Sequence, residues 1–90
     1  MVQERPRVTL YGRPGCHLCA AAESDLRRLA PTLAFELELV DIESSDELLR
    51  RYLLEIPVVA FAGRELLRAP FSAATLRETL EAALGAQSRK

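Results

Sequence analysis

Cys16, His17, Leu18 and Cys19 are the residues of this chain whose types and spacing could do chemistry, and they include both of its cysteines. They follow a short apolar run, Arg7-Val8-Thr9-Leu10-Tyr11, that reads as a strand, and Gly12-Arg13-Pro14-Gly15, that reads as a turn. An alanine-rich helix then starts at the cysteines. The first thiol therefore sits at a helix N-terminus, where unpaired backbone N–H groups and the helix dipole favour negative charge. That setting favours thiolate over thiol, and the thiolate is the species that attacks a disulfide. The second thiol lies within about one helical turn, close enough to close a disulfide after a first attack. A dithiol redox site is the leading reading.

Other chemistries are open to the same pair. CxxC is half of a tetrahedral zinc site, but there is no second pair and one histidine, on the same turn. A closed zinc or iron–sulfur site would need a second subunit's cysteines, bridging a dimer. A thiol-based sensor or binding domain without turnover is a further alternative. Hydrolysis by Cys16 is disfavoured, because no separate histidine exists to orient a triad. Gly12 and Gly15 read as turn formers, since no GxGxxG or GxxxxGK pattern accompanies them.

Ninety residues make a single domain, 1–90, with an ordered core expected at about 7–85. Apolar residues are 49% of the chain, which argues for a packed core and against disorder. No apolar run approaches the roughly 20 residues of a membrane helix, and Met1–Pro6 lacks a signal-peptide core. The expectation is a soluble, cytoplasmic monomer without a membrane partner. In a reducing compartment a close thiol pair is more often catalytic or metal-binding than a structural staple. A net charge of −1 gives no long-range pull toward nucleic acid. The pairs Arg27-Arg28 and Arg50-Arg51 read as solvated helix faces, and Gln87–Lys90 as a frayed tail.

The elements that must position the cysteines alternate along the chain. Leu18, Ala22, Leu26 and Leu29 recur at helical spacing, and Pro31 is expected to end that helix. Phe35, Leu37 and Leu39 alternate with Glu36, Glu38 and Val40, the pattern of a strand with one face more buried. Ser44 or Ser45 caps a short helix through Leu48, Leu49, Tyr52 and Leu53. Ile56–Phe61 is a third strand with a proline near its start, and Ala62-Gly63 turns it into a fourth, Arg64–Leu67. Ser72 caps a last helix that turns Leu76, Leu80, Ala83 and Leu84 to the core and ends at Gly85. The order β-α-β-α-β-β-α predicts an α/β fold. Its four-stranded mixed sheet has a parallel first pair, an antiparallel last pair and helices on both faces.

This order, with CxxC opening the first helix and Ile56-Pro57 opening the third strand, resembles the thioredoxin superfold. Within it, the chain resembles small bacterial glutaredoxin-like proteins. The likeness is carried by Leu10–Cys19, Val40-Asp41-Ile42, Ile56-Pro57-Val58 and Pro70-Phe71-Ser72. The resemblance implies a thiol-disulfide oxidoreductase of cell redox homeostasis and electron transport, with Cys16 as nucleophile and Cys19 as resolving thiol. The helix position argues for the same order, since Cys16 is nearer the positive end and Cys19 lies one turn in. Cys16 would form a mixed disulfide with the substrate, and Cys19 would release it, leaving Cys16–Cys19 for an external thiol to reduce.

By the same resemblance Pro57 is a cis-proline facing the cysteines, and Ile56 offers its backbone N–H and C=O to the substrate chain. His17 would stabilise the thiolate when protonated, or would simply face solvent. Arg13 would add positive charge beside Cys16, or would solvate the turn. Tyr11 and Phe71 would line a thiol-binding groove, or would pack in the core.

No bound cofactor is implied, and glutathione or another small thiol is a candidate co-substrate. The partners expected are a disulfide-containing protein or small thiol, with a recycling reductase or glutathione. Glutaredoxins follow the fourth strand with paired glycines and an acidic residue, whereas this chain has Arg68-Ala69-Pro70-Phe71-Ser72. Arg13 or Arg50, and the helix N-terminus at Ser72, are the groups left to meet a carboxylate.

Overall fold

The apolar runs pair into one sheet of order β2-β1-β3-β4 in the computed structural model, which describes residues 5–88, with side chains through residue 85. The strands are β1 (Arg7–Gly12), β2 (Glu36–Asp41), β3 (Val58–Phe61) and β4 (Arg64–Arg68). The helices are α1 (His17–Leu33), α2 (Asp46–Tyr52) and α3 (Ala73–Ser88), with a 3-10 turn at Ile42–Ser44. β1 runs parallel to β2, with Leu10 opposite Leu39 and Gly12 opposite Asp41. It runs antiparallel to β3, with Leu10 opposite Val59 and Tyr11 opposite Val58. β3 and β4 form the antiparallel hairpin, irregular between Val59 and Ala60. Its turn residues Ala62 (φ 55°) and Gly63 (φ 77°) both take positive φ, the hand that matches strand twist in a two-residue connection.

Side-chain alternation divides the core between the two faces of the sheet. Val8, Leu10, Val59 and Phe61 pack with Ala22, Leu26 and Phe35 and with Leu76, Leu80 and Leu84 of α3. On the other face Tyr11 and Val58 pack with Ile42, Leu48, Leu49 and Tyr52. α1 and α3 thus cover one face and α2 the other. All four residues of β3 are buried, as a strand covered on both sides requires.

Several boundaries differ from the sequence reading. Pro31 does not end α1, which continues to Leu33. The missing N–H of Pro31 is tolerated because Leu29, Ala30 and Leu33 pack against the core and hold the last turn in place. The helix stops at Ala34, which is left-handed at φ 60° and donates its N–H to the Ala30 carbonyl. Gly85 does not end α3 either, and Gln87 and Ser88 are helical rather than a frayed tail. A mid-helix glycine costs about 1 kcal/mol relative to alanine, less than a stop requires. The rest of the expected tail, residues 89 and 90, lies outside the described residues, as do Met1–Glu4 of the N-terminal segment.

Leu18 is 60% exposed, and the buried stripe of α1 is Cys19, Ala22 and Leu26 instead. Burial along β2 fades from Phe35, just before it, to Leu39, which is 46% exposed. Leu53, expected on the buried side of the second helix, is also exposed. β3 starts at Val58 because the Glu55 and Ile56 N–H groups both turn back to the Tyr52 carbonyl, at 2.8 and 3.1 Å. Of the two candidate caps for α2, Ser45 is used, accepting the Leu48 N–H at 3.0 Å.

Candidate active site

β1 delivers the chain to the start of α1 through the turn Arg13-Pro14-Gly15, where Gly15 takes φ +81°. Cys16 is the N-cap of α1, extended at φ −93°, and its Sγ accepts the Cys19 N–H at 3.1 Å. A sulfur therefore occupies the position where a capping oxygen usually satisfies an orphan N–H. Cys16 and Cys19 are joined as a disulfide, with Cα atoms 5.2 Å apart. Cys16 is half-buried, whereas Cys19 is only 7% exposed. An incoming thiol or disulfide thus meets Cys16 first, at the positive end of the helix.

Gly12 has a different role from the turn former expected. Its φ is not in the left-handed region, and a Cβ placed there would lie 3.1 Å from both Cβ and Sγ of Cys19. It lets β1 pass against the buried sulfur.

The remaining predicted residues divide into two groups. His17 is exposed on the first turn of α1. Arg13 lies on the wall of the cavity beside the cysteines, with its guanidinium paired to Glu43 at 2.7 Å. The Ile56–Pro57 peptide is cis, as the resemblance implied, and so is Ala69–Pro70, which the sequence reading did not include. The Pro57 carbonyl accepts the Ala69 N–H at 3.0 Å, which ties the two proline segments together. Pro57 and Phe71 line a small cleft with Leu18, Ala21 and Ala22.

Tyr11 is not on the wall of the cavity that opens on the cysteines. It stacks on Tyr52 at 4.6 Å between ring centroids, within the core beneath α2. Ile56 packs against that same core. Its N–H is donated to Tyr52, so pairing that N–H with a substrate chain would first require breaking this bond. Ser72 Oγ caps α3 by accepting the Thr75 N–H at 3.0 Å, which occupies a donor that an anion would need.

A cavity of about 360 Å³ opens directly on the disulfide. Leu10, Gly12, Leu39 and Val40 line it beside both cysteines, with Glu23 and Asp41 also on its wall. Sequence reading passed over Leu39, Glu23 and Asp41 as site residues. The signals were present: Glu23 lies one helical turn beyond Cys19, and parallel pairing of the first two strands brings Leu39 beside Leu10.

Behind the sheet, Tyr52 Oη donates to Glu65 at 2.7 Å, and Glu65 also accepts from Arg68. Burial, with the Glu65 contact second, pushes the Tyr52 phenol up to about 12. The Tyr52 and Arg68 hydrogen bonds hold the Glu65 carboxyl below its usual range. Among the described residues no group of three or more His, Cys, Asp or Glu comes together as a metal site. Nor is any helix among them long and apolar enough to cross a membrane.

Comparisons with known proteins agree with this architecture. The chain is similar to target protein XcR50 from X. campestris, at 38% identity and TM-score 0.71, over 83% of this chain and 96% of that one. It is similar to protein Ne2328 from Nitrosomonas europaea, at 30% identity and TM-score 0.69, over 87% and 94% of the two chains. Thioredoxin 1 from Thermosipho africanus, at 18% identity and TM-score 0.68 over 92% of this chain and 99% of its own, shows the thioredoxin fold. No curated protein matches the sequence. Residues 7–81 match the family model of the glutaredoxin-like domain (DUF836), and the chain belongs to that family.

Proposed function

We propose that the protein is a thiol-disulfide oxidoreductase that uses Cys16 as nucleophile and Cys19 as resolving thiol to reduce protein or small-molecule disulfides. The observation that carries this reading is the unequal placement of two bonded sulfurs. Cys16 caps α1 and is half-buried, and Cys19 is buried one turn behind it. An attacking thiolate needs access and a positive environment, and Cys16 has both. A resolving thiol needs only proximity to the mixed disulfide, and shielding keeps it from competing outside attack. On this reading the protein works in the cytoplasm, with an external thiol or reductase restoring the dithiol.

Trapping tests this reading. Cys19→Ser is expected to accumulate mixed disulfides through Cys16 when incubated with disulfide substrates, and Cys16→Ser to lose reductase activity. The reverse pattern would exchange the roles, and a protein that formed only intermolecular dimers on oxidation would lack the dithiol mechanism. Stoichiometric metal held by both cysteines in freshly purified protein would favour a metal site instead.

A further inference from the structure

The first turns of α1 have a cavity on each side, and their charges differ from what a glutathione site needs. The larger, about 360 Å³, lies at the lower end of the range for small-ligand pockets and is lined by both cysteines with Leu10, Leu39 and Val40. Its one cation, Arg13, is paired with Glu43 at 2.7 Å. Glu23 on its wall is paired with Arg27 at 2.8 Å, whereas Asp41 accepts only the Glu43 N–H among the bonds described. The smaller cleft, beside Pro57 and Phe71, has no cationic lining residue and one acid, Asp25.

The loop beyond β4 offers an anion no cationic side chain, and part of its backbone donors are already committed. The Ala69 N–H is donated to Pro57, Pro70 has no N–H, and Ser72 occupies the Thr75 N–H. Each half of glutathione disulfide carries two carboxylates, and carboxylates are held by charge-assisted donors. Freeing Arg13 would cost little, since an exposed pair contributes about 0–1 kcal/mol. The freed Glu43 would then stand beside Asp41 and repel the same carboxylate.

Resting on the oxidoreductase reading, the geometry points to the substrate class: a polypeptide disulfide with an apolar side chain next to the attacked cysteine, seated against Leu10, Leu39 and Val40. Glutathione disulfide is the poorer substrate. The Cys16 thiolate attacks one substrate sulfur, the substrate S–S bond breaks, and the departing thiolate takes a proton. The Cys19 thiolate then attacks Cys16 Sγ, which frees the second substrate thiol. Two electrons pass to the substrate, and the protein is left as its Cys16–Cys19 disulfide, which an external dithiol reduces.

The test compares kcat/KM of the full chain, recycled by dithiothreitol, on three disulfides. These are a cyclic two-cysteine peptide with leucine beside one cysteine, the same peptide with aspartate there, and glutathione disulfide. An apolar pocket discriminates by roughly 10- to 200-fold, so the leucine peptide is expected to exceed both others by at least about tenfold. Leu39→Glu, at a position 46% exposed, is expected to reduce that advantage by about tenfold. Equal or faster turnover of glutathione disulfide, or of the aspartate peptide, would overturn the assignment while leaving the oxidoreductase reading intact. So would an unchanged ratio in a folded Leu39→Glu variant. Turnover of none of the three would overturn both. The peptide series decides the matter even if the variant fails to fold.

Discussion

Gly12 lies against Cys19 so closely that a methyl group on Gly12 would come within 3.1 Å of both the Cβ and the Sγ of the cysteine. The buried sulfur is thus packed by backbone on one side and bonded to Cys16 on the other. Gly15, by contrast, has nothing within 4 Å of a built Cβ but requires φ +81°. The glycine that ends β1 and the glycine of the turn after it serve different physical ends.

Gly12→Ala is therefore expected to lower the stability of the reduced protein by about 1–3 kcal/mol through overpacking. Gly15→Ala is expected to cost about 1–2 kcal/mol through its backbone conformation alone. Urea unfolding of the reduced proteins measures both. The rate of intramolecular disulfide closure separates them, since Gly12→Ala displaces Cys19 and slows closure more.

Alkylation of the reduced protein is expected to follow exposure. Cys16 should react with iodoacetamide at least about tenfold faster than Cys19 at neutral pH, by its accessibility and its place at the helix N-terminus. Peptide mapping by mass spectrometry after short labelling reads the order. Equal labelling would mean that the reduced dithiol does not keep this arrangement.

Tyr52 and Glu65 give the fold a dependence on pH at both ends. The phenol titrates at about 12 in the folded chain against 10.0 ordinarily. Between those values the unfolded chain binds fewer protons than the folded one, so stability falls as pH rises. The Glu65 carboxyl is held low, so its contribution is present above the ordinary value of 4.5 and is lost as pH falls through the folded value. Tyr52→Phe is expected to cost about 1 kcal/mol at neutral pH, the order of one hydrogen bond, and to flatten the alkaline loss. Thermal unfolding between pH 8 and 12 would show a parallel decline in both proteins if another group were responsible.

Pro31 within α1 predicts a gain. Pro31→Ala supplies an N–H in the last turn and removes a ring that crowds the preceding turn, an interior penalty of up to about 3 kcal/mol. The alanine also gains freedom in the unfolded chain, which offsets up to about 1 kcal/mol. A net stabilisation of about 1–2 kcal/mol is expected in urea unfolding. A net loss would mean that the ring's own packing outweighs the missing hydrogen bond.

The cysteine pair and its setting were the most legible part of the sequence because they are local: strand, turn, N-cap and both sulfurs lie within Arg7–Cys19. The sheet was nearly as legible, since period two in Phe35–Val40 and the Ala62-Gly63 turn leave few alternatives. Helix ends were less so, because Pro31 and Gly85 oppose helix only by a local penalty, and at Pro31 the core contacts of Leu29 and Leu33 outweigh it. Least legible were the surroundings of the disulfide. That Arg13 would turn to Glu43, that Ile56 would donate to Tyr52, and that Leu39 would remain open beside the cysteines depend on segments about 20–30 residues apart or on how α2 terminates. Tyr11 shows the same limit: the sequence left it between a thiol-binding groove and the core, and only the packing of α2 decided that it stacks on Tyr52.

The placement of β1 between β2 and β3 makes strand register a component of the cysteine site. Leu10 faces the disulfide cavity, Tyr11 the aromatic stack, and Gly12 the buried sulfur. A slip of one residue would turn Tyr11 toward Cys19, send Leu10 under α2, and take the one position without a side chain away from the sulfur that needs it. Core burial and room for the inner sulfur are thereby set by a single strand: the register that buries Val8 and Leu10 is the one that puts a glycine against Cys19.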